Sequence, residues 1–113
     1  MPFIDLKTNK SLTDKDIQAV KADLGSAITA IRGKSEAWLM VKAEGECNMF
    51  FKGESDPCAM FEVSIFGNAS DAEFEDLTGR ICKISEERLG VPASRTYVKY
   101  AEVKTWGWNN MNF

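Results

Sequence analysis

Two stretches of this chain repeat the same pattern of helix-capping and apolar residues. Thr13 with Asp16, and Ser70 with Glu73, each place a hydroxyl three residues before a carboxylate, which is the pattern of a capping box at the start of a helix. Apolar residues at helical spacing follow each box. Four matching pairs have the same separation along the chain: Ile17 and Phe74, Val20 and Leu77, Leu24 and Ile81, Ala27 and Ile84. The chain is therefore predicted to contain two copies of one unit.

Each predicted helix lies between two predicted strands. Apolar runs precede the helices at Phe3–Leu6 and Met60–Ile65. Each helix leads to a Ser-x-x-aromatic sequence that opens a second strand, at Ser35–Trp38 and Ser94–Tyr97. These two sequences are slightly further apart than the helical pairs, so the second connection is predicted to be the longer one. Each unit thus reads β-α-β, and the right-handed crossover rule makes its two strands parallel.

The two units, about residues 1–48 and 58–104, are predicted to form a single domain over residues 1–113. Side by side they give an α/β fold of the α+β type: a four-stranded mixed sheet with both helices on one face. Ala59–Phe66 is rich in apolar residues on both sides, as in buried sheets. Too little chain remains to cover the second face, so we expect it to meet another subunit. Met49–Phe51 and Thr105–Trp108 are candidate short strands that could pair with a neighbour's edge.

Composition excludes several classes of function. The net charge is -3 and no lysine or arginine run occurs, which argues against nucleic acid as a partner. No apolar run reaches the roughly 18 residues of a spanning helix, and the N-terminus has no signal-peptide pattern, so neither a membrane partner nor a secretory signal is predicted. We expect a cytoplasmic protein, or one exported without a signal peptide. Three cysteines and no histidine make a disulfide framework or a metal site improbable, and no cofactor is predicted.

Pro2 is a candidate catalytic base. If Met1 is removed, Pro2 becomes a secondary amine at the head of a strand. An α-amino group titrates at about 7.7 to 8.0 and lysine at about 10.4, so modest desolvation leaves the terminal amine neutral near pH 7. The chain has no histidine that could serve instead.

Five segments in the same order resemble the family of macrophage migration inhibitory factor and D-dopachrome tautomerase. They are Met1–Asn9, Gly33–Lys34, Ser55–Ala59, Arg95–Val98 and Gly107–Phe113. The resemblance spans the whole chain. It implies a homotrimer of β-α-β-β-α-β subunits whose sheets line a central barrel, which agrees with the uncovered face expected above.

The resemblance also implies an enol–keto tautomerase that acts on phenylpyruvate-like 2-oxo acids or dopachrome analogues. Pro2 would be its base once Met1 is gone. Lys34 matches the pocket lysine of the family, which implies that it binds the substrate carboxylate and helps to keep Pro2 neutral. A glycine followed by a lysine, as at Gly33 and Lys34, is also favoured at a helix C-terminus; the resemblance favours the catalytic role.

The resemblance extends to the walls of the site. Phe66 stands where the family usually has an isoleucine whose backbone amide contacts substrate. Tyr97 matches a tyrosine contributed by the neighbouring subunit, and Lys99 stands where asparagine is frequent at the site's edge. The remaining predicted substrate-binding residues are aromatic: Phe3, Trp38, Trp106, Trp108 and Phe113. For Trp108 and Phe113, packing in a core or interface is an equal alternative.

Two other interpretations stay open, a secreted cytokine mimic and a trimeric structural module with a vestigial pocket. The loop Asn9–Leu12 lacks the arginine that the family connects with chemokine-receptor binding, which weakens the expectation of a host receptor. Cys58 is followed three residues later by Phe61, so the CxxC of some relatives is broken and no redox activity is expected. Pro2 and Lys34 together favour the enzyme.

Overall fold

The computed structural model of the protein describes all 113 residues and consists of a four-stranded sheet with two helices packed on it. The elements are β1 Pro2–Thr8, α1 Asp14–Ala27, β2 Met40–Glu44, β3 Ala59–Phe66, α2 Asp71–Ile84, β4 Thr96–Val103, β5 Gly107–Trp108 and β6 Met111–Asn112. The strand order is β2-β1-β3-β4; β1 and β2 are parallel, β3 and β4 are parallel, and β1 and β3 are antiparallel. This confirms the predicted fold class.

Both helices begin at the predicted capping boxes. The hydroxyl of Thr13 accepts from the Asp16 amide at 3.1 Å, and the Asp16 carboxylate accepts from the Thr13 amide at 3.0 Å. Ser70 and Glu73 repeat these two bonds at 3.1 and 3.0 Å. Since each box satisfies two backbone donors that the first helical turn leaves free, the helix start is encoded locally.

The two units stay in register throughout, so the prediction of a longer second connection is wrong. The first unit pairs Phe3 with Met40, and the second pairs Met60 with Tyr97, so both connections have the same length. Short 3-10 turns at Glu36–Trp38 and Ala93–Arg95 keep the same spacing. The Ser-x-x-aromatic pattern misled because its aromatic residue lies in the turn in the first unit and in the strand in the second.

One cluster of 16 buried apolar residues fills the space between the helices and the sheet. Alternate strand residues point into it because successive side chains of a strand face opposite sides. The strands contribute Ile4, Leu6, Ala59, Phe61, Val63 and Ile65. The helices contribute Val20, Leu24, Ala27, Leu77, Ile81 and Ile84. Each fully buried Leu, Ile or Phe side chain contributes about 1.5–3 kcal/mol, so this face holds the fold together. No helix has the length and apolarity needed to cross a membrane.

The opposite face of the sheet is charged at its centre. Lys7 contacts Asp5 at 2.6 Å and Glu62 at 3.6 Å, and Lys99 contacts Glu62 at 2.7 Å. The prediction that both faces of β3 are apolar is therefore wrong, because the strand alternates and places Glu62 and Ser64 on the open side. A subunit that covers this face must accommodate these charged side chains, and cannot simply extend the apolar core.

Within the chain, one of the two candidate short strands forms and the other does not, and their pairing with a neighbour's edge stays a prediction. Met49–Phe51 forms no strand; Phe51 makes an isolated bridge to Glu54 around a tight turn. In the second segment, β5 pairs with β6. Asn109 and Asn110 have φ angles of 53° and 69°, the left-handed conformation that a two-residue hairpin turn needs and that asparagine tolerates.

Candidate active site

Pro2 lies at the first position of β1, buried and paired with Ile65 of β3. Its nitrogen is part of the peptide bond to Met1. The carbonyl oxygen of Met1 accepts a hydrogen bond from the Phe66 amide at 2.9 Å. Met1 therefore occupies the end of β3, and its carbonyl uses the backbone donor that the family resemblance assigns to substrate.

Lys34 approaches the same strand end from the other side. The turn after α1 places Gly33 at a φ of 79°, and the Lys34 amide donates to the Ile31 carbonyl at 3.1 Å. The Lys34 Nζ donates to the Phe66 carbonyl at 2.9 Å. The structure thus brings Pro2, Lys34 and Phe66 together at one end of the sheet.

The electrostatic environment at this point favours a neutral amine. The pKa of the Met1 α-amino group is lowered from its usual value of 8.0, first by desolvation and then by the charge and hydrogen bonding of Lys34. Both causes act against the charged form of an amine. An amine at Pro2, one residue further into the fold, would meet the same two influences.

A cleft of about 560 Å³ opens next to Pro2. Its lining is almost entirely apolar and comprises Met1, Pro2, Phe3, Ala37, Trp38, Leu39, Met40, Trp106, Gly107 and Trp108. Such a lining suits the non-reacting, apolar part of a small organic ligand.

An aromatic row joins the C-terminal hairpin to the cleft. Trp38 meets Trp108 edge-on at 5.1 Å between ring centroids, Trp108 stacks on Phe113 at 5.8 Å, and Phe113 lies 5.7 Å from Phe66. The Phe113 amide donates to the Trp106 carbonyl at 3.1 Å. The side chains of Trp108 and Phe113 remain 48% and 53% exposed. Both rings therefore pack against their neighbours and also present surface to solvent, and Trp108 lines the cleft.

Tyr97 and Lys99 are not brought to this cleft within the chain. Tyr97 pairs with Met60, at the end of the sheet opposite Pro2, and packs edge-on against Phe51 at 5.0 Å. Tyr97 is 62% exposed. Lys99 lies in mid-strand, paired with Glu62. That Tyr97 reaches a neighbouring subunit's site therefore stays a prediction.

Glu73 is a residue near the site that the sequence indicates only as a helix cap. Its second carboxylate oxygen accepts from the Arg32 amide at 2.7 Å, in the turn that carries Lys34. No sequence signal identifies this contact, because the donor is a backbone amide 41 residues away. No group of three or more histidine, cysteine or acidic side chains could hold a metal ion.

The sequence and the fold both match those of known proteins. The family model for macrophage migration inhibitory factor matches residues 1–112. The macrophage migration inhibitory factor of Xenopus laevis is 25% identical over 115 residues, covering 100% of this chain and 99% of that protein. The crystal structure of Leishmania major MIF2 superposes with a TM-score of 0.93 at 30% identity, covering 100% of this chain and 97% of that one. The crystal structure of Pt0534 inactivated by 2-oxo-3-pentynoate has a TM-score of 0.79 at 17% identity, covering 89% and 85%.

Proposed function

The chain belongs to the macrophage migration inhibitory factor family, and from that premise we propose that it is an enol–keto tautomerase whose base is the amine of Pro2 after removal of Met1. The observation that carries the proposal is the meeting of three groups beside one apolar cleft: the Pro2 nitrogen, the Lys34 ammonium and the Phe66 amide. The lowered pKa of the Met1 amine supports it, since the same surroundings would keep a Pro2 amine neutral near working pH.

Removal of Met1 would change the site in two ways. Pro2 would lose its amide resonance, so its nitrogen would regain a basic lone pair. The Phe66 amide would lose its acceptor, the Met1 carbonyl. A donor left without a partner costs about 1–3 kcal/mol where water is excluded, so a substrate oxygen at that position would be favoured. Removal of Met1 thus replaces an occupied strand end by a site with a base, the Pro2 amine, and a free donor, the Phe66 amide.

The reaction needs no cofactor. The Pro2 nitrogen accepts a proton from the carbon beside the substrate carbonyl. The electron pair of the broken C–H bond forms the C=C bond, and the π pair of the C=O bond moves onto oxygen. Return of the proton from Pro2 to that oxygen gives the enol and restores the neutral amine. Lys34 and the Phe66 amide are donors that could stabilise the negative charge that develops.

We propose phenylpyruvate-like 2-oxo acids or dopachrome analogues as the substrate class. Lys34 supplies a cation for the carboxylate, and the tryptophans of the cleft supply flat apolar surface for a ring. The inactivation of Pt0534 by 2-oxo-3-pentynoate supports a 2-oxo acid as ligand for a protein of this fold.

We also propose that the active form is a homotrimer in which Tyr97 of one subunit completes the cleft of the next. Large apolar side chains that a monomer leaves in solvent support this: Met40 is 67% exposed, Tyr97 62% and Phe50 73%. Tyr97 and Pro2 lie at opposite ends of one sheet, so a contact between them requires a second copy.

The proposal is tested by comparing protein with and without Met1. Protein made while methionine aminopeptidase is inhibited, and checked by intact mass, should fold but show almost no phenylpyruvate tautomerase activity. Treatment of the same sample with the aminopeptidase should restore activity. Pro2→Ala in processed protein keeps a terminal amine without the ring, and should lower kcat/KM by roughly 10² to 10⁴. Full activity in a homogeneous sample that retains Met1 would falsify the mechanism.

A further inference from the structure

Glu73 uses its two carboxylate oxygens for different purposes. Oε1 accepts from the amide of Ser70 at 3.0 Å and from its hydroxyl at 2.9 Å, which completes the cap of α2. Oε2 accepts from the amide of Arg32 at 2.7 Å. One side chain therefore connects the start of α2 to the turn that follows α1.

The corresponding cap of α1 makes no such connection. Asp16, the residue of the first unit that is equivalent to Glu73, completes the capping box of α1 with a side chain one methylene shorter. An aspartate is therefore long enough to cap a helix in this fold. The extra length of Glu73 is used for the contact to Arg32.

The turn held by Glu73 carries Lys34. Ile31 anchors the start of the turn in the core, where it is 1% exposed, but Arg32 and Gly33 are exposed. Two hydrogen bonds hold the turn's backbone: the Lys34 amide to the Ile31 carbonyl at 3.1 Å, and the Arg32 amide to Glu73. Without the bond from the Arg32 amide to Glu73, only the bond to the Ile31 carbonyl would hold the backbone of the turn.

The contact between Glu73 and the turn is charge-assisted. Hydrogen bonds from the amides of Arg32 and Ser70 lower the pKa of Glu73 to about 2. The carboxylate is therefore charged throughout the neutral range, and a hydrogen bond to a charged acceptor is about twice as strong as a neutral one.

We propose that Glu73 is a positioning residue for Lys34: it holds the backbone of the Arg32–Lys34 turn so that the ammonium lies at the end of β3 beside Pro2. This inference rests on the proposed tautomerase function, in which Lys34 binds the substrate carboxylate. Misplacement of a binding group by about 1 Å is enough to weaken a catalytic site substantially.

The decisive variant is Glu73→Asp in processed protein, because Asp16 shows that aspartate retains the cap. We expect the KM for phenylpyruvate to rise about three- to tenfold with a smaller change in kcat, since the ammonium is displaced while Pro2 keeps its place in β1. The methyl ester of phenylpyruvate lacks the carboxylate, so its KM should change less. Glu73→Gln keeps the length of the side chain and should restore part of the loss.

Asp16→Asn is the matched control, because it weakens the other capping box without a contact to the site. It should lower the midpoint of thermal unfolding and leave both KM values at the wild-type level. If Glu73→Asp leaves both KM values at the wild-type level, as expected for Asp16→Asn, Glu73 is only a cap and the inference is overturned. The same holds if Glu73→Asp raises the KM values for the acid and the ester equally.

Amide hydrogen exchange at Arg32 and Lys34 separates this inference from the proposed function. Faster exchange at both amides in Glu73→Asp, but not in Asp16→Asn, supports the anchoring of the turn whether or not the protein is active. Unchanged exchange overturns it. An inactive processed wild-type protein would instead refute the tautomerase and leave the exchange result to decide the role of Glu73.

Discussion

The two halves of the molecule share one backbone plan but place different chemistry on it. Gly33 and Gly90 stand at equivalent positions, and both adopt positive φ, 79° and 68°. The residue after Gly33 is Lys34, whose ammonium binds the Phe66 carbonyl at the end of β3, whereas the residue after Gly90 is Val91, which is completely buried. Glycines at equivalent positions are therefore followed by a cation beside the site in one half and by an apolar side chain of the core in the other.

The first strands of the two units differ in the same way. Pro2 opens β1 beside the cleft, and its equivalent Ala59 opens β3 inside the core, 4% exposed. The helix caps differ in the opposite direction. Glu73 of the second half contacts the Arg32 amide as well as its own cap, whereas Asp16 of the first half only completes its cap. The candidate site therefore contains residues of the first unit, Pro2 and Lys34, whose equivalents in the second unit, Ala59 and Val91, pack in the core.

We expect the largest effect from Val91→Lys, which places a lysine, the residue found at the equivalent position 34, in the core. An unpaired charge among buried side chains should destabilise the protein by roughly 3 to 5 kcal/mol. Burial lowers the pKa of such a lysine, so the defect should shrink as pH rises towards the pKa of free lysine. Urea unfolding at several pH values measures it.

Val91→Met is the control for Val91→Lys, because a methionine side chain is similar in length to lysine but uncharged. It should lower the free energy of unfolding by less than Val91→Lys at every pH. A Val91→Lys protein as stable as Val91→Met would show that this position is less core-like than its burial indicates, and would break the contrast between the two turns.

The reverse exchange, Lys34→Val, should affect activity more than stability. Loss of a hydrogen bond to a charged group is worth about 1.5–3 kcal/mol, which corresponds to about a 10- to 150-fold fall in kcat/KM for phenylpyruvate. Lys34 is only partly buried, so thermal unfolding should change little. Lys34→Arg should retain more activity than Lys34→Val. Equal kcat/KM values for Lys34→Val and the wild type would assign Lys34 to the helix end instead of the site.

Acid unfolding should distinguish the two helix caps. The folded-state pKa of Glu73 is lowered from 4.5 to about 2. Its contribution to stability is therefore complete above pH 4.5 and is lost as pH falls towards 2. The pKa of Asp16 is also lowered, chiefly by the Thr13 amide, without the further donor of Arg32. Over this acid range, Glu73→Gln should flatten the fall in stability more than Asp16→Asn; a larger effect at Asp16 would contradict the contact to Arg32.

The smallest effect is expected for Lys99→Asn. The Lys99 ammonium lies 2.7 Å from the Glu62 carboxylate and is 65% exposed, so its charge is balanced and screened. A cation at the edge of the site should favour the substrate carboxylate, so KM should rise more for the acid than for its methyl ester, by about fivefold or less because exposed ion pairs contribute only about 0.2–1 kcal/mol. An equal shift for acid and ester would show that Lys99 is a solvated surface charge.

The sequence alone determined the two helices, the two β-α-β units and the apolar helix residues that enter the core. Caps and amphipathic spacing depend on residues within one or two turns, so they can be recognised without a structure. Pro2 and Lys34 were predicted from chemistry and family resemblance together, and the structure brings them to the same end of the sheet.

Tertiary structure decided the rest. The contacts of Lys34 to the Phe66 carbonyl and of Glu73 to the Arg32 amide join residues 32 and 41 positions apart through backbone atoms that every residue carries. The charged centre of the open face depends on which strand residues share a side, and this is set by register. Local sequence cannot specify such contacts, because they exist only once the two units have packed against each other.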